Sequence, residues 1–225
     1  MKIKSLLFSS FFIFKFLTAQ TTDSTKFYGI PQNIVDSYNQ AVTFKNEGDV
    51  KYKAKDYRAA IVSYNNSIDI FPIYAQTYNN RGVAKFELQD YEGAILDYNF
   101  AIKYNPESSD AYFNRGTAKA KLNNNQGAVA DFSKTIEISP NDTDAYYNRG
   151  IAKAKLKDYT GAFADYNSAI KLFSRYSQVY NQRGKLKVQL LDYEGALLDF
   201  KKAIEIDPTF MEAYQNVGLL KVKTK

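Results

Sequence analysis

Six glycines stand 34 residues apart along the chain, without an insertion between any two of them. They are Gly48, Gly82, Gly116, Gly150, Gly184 and Gly218. An alanine follows each of the first five by 12 residues, and an aromatic residue follows by 16 residues. Self-similarity at one fixed period is typical of repeat proteins, in which short units stack on their neighbours. We therefore expect a stack of similar units rather than one globular core.

Each unit is predicted to contain two helices. Residues 146–156 contain good helix formers and no proline, residues 157–159 suit a tight turn, and a second helix is expected over 160–172. Helices end before proline, because proline lacks an N–H donor and constrains the residue before it. Such a proline stands 24 residues after four of the glycines, as Pro72, Pro106, Pro140 and Pro208. In the fourth unit Ser174 replaces it, so the following link is either looser or more continuous.

The glycine and the alanine of each unit have a packing explanation. Two antiparallel helices approach closely only where side chains are small, and the periodic aromatic residues fill the space beside them. One helix pair cannot bury its apolar face alone, so neighbouring pairs must stack on it. The expected fold class is all-α, an α-solenoid of stacked antiparallel helix pairs.

The glycine, alanine, aromatic and proline residues at these offsets resemble the tetratricopeptide repeat family. The resemblance covers residues 41–225 and implies a right-handed superhelix. It divides the chain into five repeats and a final partial helix, over residues 41–74, 75–108, 109–142, 143–176, 177–210 and 211–225. Repeat 1 has Ala54 where the later repeats have leucine, which is consistent with a terminal unit.

Residues 1–19 have the pattern of a secretory signal peptide. Lys2 and Lys4 precede the apolar stretch 6–14, and Ala19 offers a small residue for cleavage. An uncleaved anchor or a disordered start are the alternatives. Residues 20–40 are interpreted as a lead-in segment before the repeats. We therefore expect an exported protein, periplasmic or secreted in a bacterial cell envelope, without a stable membrane span once the signal is cleaved.

The composition excludes several kinds of chemistry. The chain contains no cysteine and no histidine, so it can form neither a Cys/His zinc site nor a His-dependent catalytic triad. It carries no phosphate-binding loop, dinucleotide fingerprint or nucleophile elbow. We expect no enzymatic activity, no cofactor and no metal site.

The net positive charge can be explained without a nucleic-acid partner. Cleavage after Ala19 would remove three lysines and no acid, which lowers the formal net charge from +6 to +3. In repeats 2 to 5 an arginine precedes the glycine and an aspartate follows it by 15 residues, and repeat 1 lacks both. This shared occurrence predicts an Arg–Asp pair between the two helices of one repeat. Because acids recur with the bases, nucleic-acid binding is not expected.

In the family that the chain resembles, the first helices line a concave groove that holds partner peptides. Carried over, this places in the groove the residue two before each glycine. We call these residues the amide row: Asn46, Asn80, Asn114, Asn148, Gln182 and Asn216. Amides suit the backbone of an extended peptide, because they offer a donor and an acceptor. The alternative is that they cap neighbouring backbone or bridge repeats.

The partner-binding residues are predicted to be Asn80, Asn114, Asn148 and Gln182 of the amide row, together with Phe113, Tyr147 and Ile151. The last three are expected to form an apolar patch at the centre of the groove. The family's clamp for chaperone tails is poorly matched, since Asp49 and Asp110 replace an asparagine and a lysine.

The predicted function is a non-enzymatic scaffold or adaptor that binds a protein or peptide partner in the groove. A self-associating solenoid and a glycan-binding accessory of the cell envelope are the alternatives.

Overall fold

A computed structural model describes residues 31–223, and within that range every regular element is an α-helix. The helices are α1 (Gln32–Lys53), α2 (Tyr57–Ile70), α3 (Ala75–Glu87), α4 (Tyr91–Tyr104), α5 (Ser109–Lys121), α6 (Asn125–Ile138), α7 (Thr143–Lys155), α8 (Tyr159–Leu172), α9 (Ser177–Gln189), α10 (Tyr193–Ile206) and α11 (Met211–Lys223). The predicted signal peptide and most of the lead-in lie outside the described residues.

Each helix packs on the next helix along the chain, so that every repeat is a helix pair stacked on the preceding pair. The odd-numbered helices, the first helices of the repeats, also contact each other from one repeat to the next. Between the second helices of successive repeats, the described part of the chain shows no such contact. The stack therefore curves, with the first helices on its inner side. This arrangement confirms the predicted all-α solenoid of stacked helix pairs.

The turn inside each repeat has one residue in the left-handed region. It is Lys55, Gln89, Asn123, Lys157 or Leu191, with φ between 59° and 65°. The residue that follows it caps the second helix, and the helix itself begins one residue later. Asp90, for example, accepts a hydrogen bond from the N–H of Gly93 at 3.0 Å. Side-chain caps of this kind satisfy donors that the first helical turn leaves unpaired.

One boundary differs from the expectation, and one link that the sequence left open is defined. Helix α1 begins at Gln32, inside the segment interpreted as a lead-in, because Tyr38 packs on the rings of Phe71 and Tyr74 at 5.6 and 5.4 Å. In the fourth repeat, α8 ends at Leu172 although no proline follows, and the link to α9 matches those of the other repeats. The N–H of Phe173 bonds to Ala169, as its counterpart Ser139 bonds to Thr135. Proline is thus not required for the helix to end.

The glycines set the distance between the two helices of a repeat. At Gly150, an added Cβ would lie 2.6 Å from Cε1 of Tyr166, and at Gly48 it would lie 2.4 Å from Cε1 of Tyr64. The aromatic rings are buried, with Tyr166 only 1% exposed, so they cannot move aside freely. At Gly218 on α11, by contrast, no atom lies within 4 Å of an added Cβ.

A buried aspartate lies at the centre of a charge cluster in each of repeats 2 to 5. In repeat 2, Arg81 donates two hydrogen bonds to Asp97, at 2.9 and 2.5 Å, and the ammonium of Lys85 lies 2.8 Å from the same carboxylate. Asp97 is 2% exposed. The same contacts recur for Asp131, Asp165 and Asp199. The predicted Arg–Asp pair within each repeat is confirmed.

The arginine of each cluster also reaches the preceding repeat. Nη1 of Arg81 donates to Oδ1 of Asn65 on α2 at 2.7 Å, and the guanidinium lies 5.4 Å from the ring centre of Tyr78. In the later repeats the equivalent acceptors are Asn99, Ser133 and Asn167. One arginine thus joins both helices of its own repeat to the second helix of the repeat before.

Replacing Gly150 with alanine should lower the free energy of unfolding by roughly 1–3 kcal/mol, because Cβ would overlap the ring of Tyr166. Gly218→Ala is the matched control, and its cost should be zero or slightly favourable, since alanine is the better helix former. Urea unfolding followed by circular dichroism measures both. Equal effects of the two substitutions would contradict this account of the glycines.

Replacing Asp165 with asparagine should lower the free energy of unfolding by roughly 3 kcal/mol, because it leaves Arg149 and Lys153 partly buried without their counter-charge. Glu205→Gln serves as the control. Its partner Lys202 is 2.6 Å away but both side chains are exposed, so we expect a change below about 1 kcal/mol. A loss below that value at Asp165 would show that the cluster is not needed.

Candidate binding groove on the first helices

The amide row lies on the inner side of the stack, and several of its members bridge successive repeats. Nδ2 of Asn114 donates to Oδ1 of Asn79 at 3.1 Å, and Nδ2 of Asn80 donates to Asp49 at 2.8 Å. At the other end of the chain, Nδ2 of Asn216 donates to Oδ1 of Asn181 at 2.8 Å. Each bridge therefore uses an amide N–H group, which fixes the side chain.

The remaining two predicted amides are held differently. Nδ2 of Asn148 bonds back to the backbone oxygen of Asp144 at 2.8 Å, one turn earlier in α7. Gln182 forms a side-chain hydrogen bond with Tyr147 of the preceding repeat. The bridging role considered from the sequence is therefore present in Asn80, Asn114, Gln182 and Asn216. It does not compete with a role in binding, because an amide that donates through nitrogen still has its oxygen as an acceptor.

The three residues predicted to form the apolar patch belong to two core clusters. Tyr147 and Ile151 pack together against the cluster of Ala162, Tyr166 and Val179. Phe113 belongs to the neighbouring cluster, where its ring lies 5.6 Å from that of Phe132. All three predicted residues are half-buried, so each contributes to the core and leaves part of its side chain on the inner face.

Asp49 forms a hydrogen-bond centre at the amino-terminal end of the groove. It accepts from the hydroxyl of Tyr64 at 2.9 Å, from Asn80 at 2.8 Å and from the ammonium of Lys45 at 2.9 Å. Lys45 is thereby neutralised by a residue of its own helix. This contact agrees with the poor match to a clamp for acidic chaperone tails.

A pocket of about 330 Å³ opens between α9 and α11 at the opposite end. Its apolar lining includes Val188, Phe200, Leu219 and Leu220, and its polar members include Lys185 and Asn216. Lys185 is held by Glu212 across the two helices at 2.9 Å. This pocket was not predicted from the sequence. The sequence pattern that could have indicated this pocket was weak. It consisted only of the residues that directly follow the glycine in the last two units, a lysine and a leucine.

Neighbouring this pocket, Asn181 is fully buried. Its oxygen accepts from Asn216, whereas its Nδ2 has no hydrogen-bond partner among the described residues.

Burial raises the pKa of several tyrosines above the ordinary value of 10.0. For Tyr64 the hydrogen bond to Asp49 adds to the effect of burial, and for Tyr176 the hydrogen bond to Asp144 does so. Tyr98 and Tyr166, which pack against the repeat glycines, have a raised pKa chiefly because of burial. At Tyr147 burial also raises the pKa, and the hydrogen bond from Gln182 lowers it in part.

Residues 31–223 provide neither a metal-binding cluster nor a membrane-spanning helix. That part of the chain contains no group of three or more acidic side chains arranged to hold a metal ion. Its helices also include none long and apolar enough to cross a membrane.

The raised tyrosine pKa values predict a loss of stability in alkali. Below pH 10 the buried tyrosines are protonated in both the folded and the unfolded chain, so their contribution is fully present. As the pH rises further, the unfolded chain loses these protons first and the folded state is destabilised. A variant with Tyr98→Phe and Tyr166→Phe should unfold at higher pH, since Phe132 and Phe200 already occupy the same place in other repeats. Tyrosinate absorbance and circular dichroism in one titration measure this, and identical unfolding curves would contradict it.

Comparison with known proteins agrees with this geometry. Family models described as TPR repeat or tetratricopeptide repeat match residues 84–123, 118–177 and 177–210. No curated protein matches the chain.

Solved structures share the fold. YrrB, described as a TPR protein with an unusual peptide-binding site, is 20% identical, with a TM-score of 0.70 over 82% of this chain and 95% of that chain. MamA from Desulfovibrio magneticus RS-1 is 18% identical, with a TM-score of 0.72 over 76% of this chain and 97% of that chain. The first TPR of Spaghetti (RPAP3), bound to an HSP90 peptide, is 28% identical, with a TM-score of 0.53 over 53% of this chain and 95% of that chain.

The family matches together span residues 84–210, more than half of the chain, and the helix pairs outside that range repeat the same contacts. The chain therefore belongs to the tetratricopeptide repeat family.

Proposed function

We propose that the protein is a non-enzymatic adaptor that binds an extended peptide segment of a partner protein along the inner face of its first helices. Tetratricopeptide repeats typically mediate contacts between proteins. Two of the structural neighbours are described as peptide-binding, YrrB and the first TPR of Spaghetti (RPAP3).

The observation that carries the proposal is the fixed amide row. Nδ2 of Asn80 and of Asn114 is bonded to the preceding repeat, so both side chains are held before any ligand arrives. Binding groups that are already ordered lose little conformational entropy when a partner binds. Their oxygens can then accept hydrogen bonds from the backbone N–H groups of a peptide, whatever its sequence.

Specificity would come from the apolar residues beside this row. Phe113 and Tyr147 are half-buried and rigidly packed, which suits them to contact a peptide side chain. The pocket at Val188 and Leu219 is large enough for one apolar side chain. A peptide that combines a regular backbone with apolar anchors fits both features.

The exported location is part of the proposal and rests on the pattern of residues 1–19 alone. The partner would then be another protein of the bacterial cell envelope or of the medium. Cleavage can be tested by the amino-terminal sequence of the protein recovered from its host.

The experiment is a selection of displayed random peptides on the full chain, followed by affinity measurements with the selected peptides. A groove variant carries Asn80→Ala, Asn114→Ala and Phe113→Ala. A matched outer variant carries Val62→Ala, Leu96→Ala and Leu198→Ala, three residues of second helices that are 57%, 60% and 67% exposed. We expect the groove variant to bind the peptides about tenfold or more weakly, and the outer variant to bind them as the unchanged chain does.

Selected peptides that bind the groove variant equally well would contradict the proposal. The proposal would also be contradicted if the chain selected no peptide but was retained on cell-wall glycan. It would be contradicted as well if the mass of the chain rose with concentration through contacts of the groove residues. These outcomes correspond to the glycan-binding and self-associating alternatives.

A further inference from the structure

The open side of α11 is an exposed surface distinct from the groove. Helix α11 packs on the repeat before it through Ala213 and Leu220, which are 0% and 5% exposed. Its opposite side carries Met211, Tyr214 and Val222, which are 65%, 46% and 78% exposed. We call these three residues, with Gly218 and Lys221, the α11 face.

This face has the pattern that receives a second helix everywhere else in the chain. Each of the other five repeat glycines contacts an aromatic ring of a second helix, with an added Cβ at 3.0 Å or less from it. Gly218 has the same register but nothing within 4 Å. In the α9–α10 pair, which serves as the template, Phe200 covers Gly184.

The α9–α10 pair is also joined by an ion pair. Three residues after the glycine, Lys187 on α9 lies 2.9 Å from the carboxylate of Asp199 on α10. Lys85, Lys119 and Lys153 bind their aspartates in the same way. Lys221 is the equivalent residue on α11; it is exposed and forms no ion pair within residues 31–223.

We propose that the α11 face binds an amphipathic helix of a partner protein that carries the sequence Ala-x-x-Asp-Phe or Ala-x-x-Asp-Tyr. The aromatic ring would cover Gly218, the aspartate would pair with Lys221, and the alanine would permit close approach of the two helices. Helices α4, α6, α8 and α10 each contain this sequence, which shows that it suits such a surface.

The chain's own segments fit the face poorly. All four copies of the sequence are already used within their repeats, with the aspartate bound by both an arginine and a lysine. A second molecule could offer one only by opening its own stack. Residues 1–30 contain a single acid, Asp23, and no copy of the sequence. Within residues 1–225 no other segment offers this sequence, and the proposal commits to a helix of a different protein.

The test uses the full chain and a synthetic peptide of residues 193–206. A lactam bridge between Lys201 and Glu205, which are both exposed and four residues apart, holds the peptide helical. Binding is measured by isothermal titration calorimetry. Gly218→Leu should reduce the affinity about tenfold or more, because the added side chain occupies the place of the ring. Lys221→Glu should also weaken binding, and a peptide with Asp199→Lys should restore it for that variant alone.

Two controls distinguish binding at this surface from binding in the groove and from non-specific binding. The chain with Asn114→Ala should bind the peptide unchanged, so failure of the groove proposal would leave this one standing. The peptide with Leu198→Ala, altered at a residue 67% exposed in α10, should also bind unchanged. The peptide with Phe200→Ala should lose affinity about tenfold or more.

Absence of binding, or equal binding to the Gly218→Leu variant, would overturn the proposal. A mass that rises with concentration in sedimentation, and that Gly218→Leu returns to that of the monomer, would also overturn it, because the occupant would then be a second copy of this chain.

Discussion

One buried carboxylate per repeat holds the stack together from the second repeat onward. A buried charge is costly unless it is paired, and each of these aspartates is paired with both an arginine and a lysine. The arginine continues to an acceptor on the preceding repeat, so a contact within one unit becomes a contact between units. The regular basic residues are thereby used inside the scaffold.

The fold could be predicted from the sequence to the extent that it depends on the repeat period. The glycine and its aromatic partner recur at fixed offsets, and the arginine and aspartate are missing together from repeat 1, which identified them as a pair. The third contact of each arginine could not be predicted, because its acceptor is asparagine in three repeats and serine in the other. The start of α1 was also missed, since Ile34 and Tyr38 pack against Phe71 and Tyr74 outside the repeat register.

The candidate site could be predicted less completely, because it depends on residues that differ between repeats. The position three before the glycine is Asn79, Phe113, Tyr147 or Asn181 in successive units. The two asparagines accept a hydrogen bond from the amide row of the next unit, whereas the two aromatic residues pack on other rings. The amide row was identified by its regularity, but its bridges end on partners as different as Asp49 and Tyr147. Phe113 and Tyr147, which are expected to form one patch, pack on the separate cores of adjacent units.

Taken together, the contacts distinguish two surfaces by how they relate to the scaffold. On the inner face, side chains are fixed by bridges between repeats and present oxygens and half-buried rings. On α11, a glycine and a lysine occupy the positions that contact a second helix in the other repeats. No second helix of the described chain packs on them. We propose an extended peptide for the first surface and a helix for the second.

Hydrogen exchange measured repeat by repeat tests most directly whether the buried carboxylates join neighbouring units. In a chain with Asp131→Asn, the account predicts that amide protection falls in α5 and α6 and also in α4, through Arg115 and its acceptor Asn99. Protection in α9 and α10 should change little. A loss confined to α6, or a loss spread evenly over all helices, would contradict the claim that each cluster binds its own repeat to the one before.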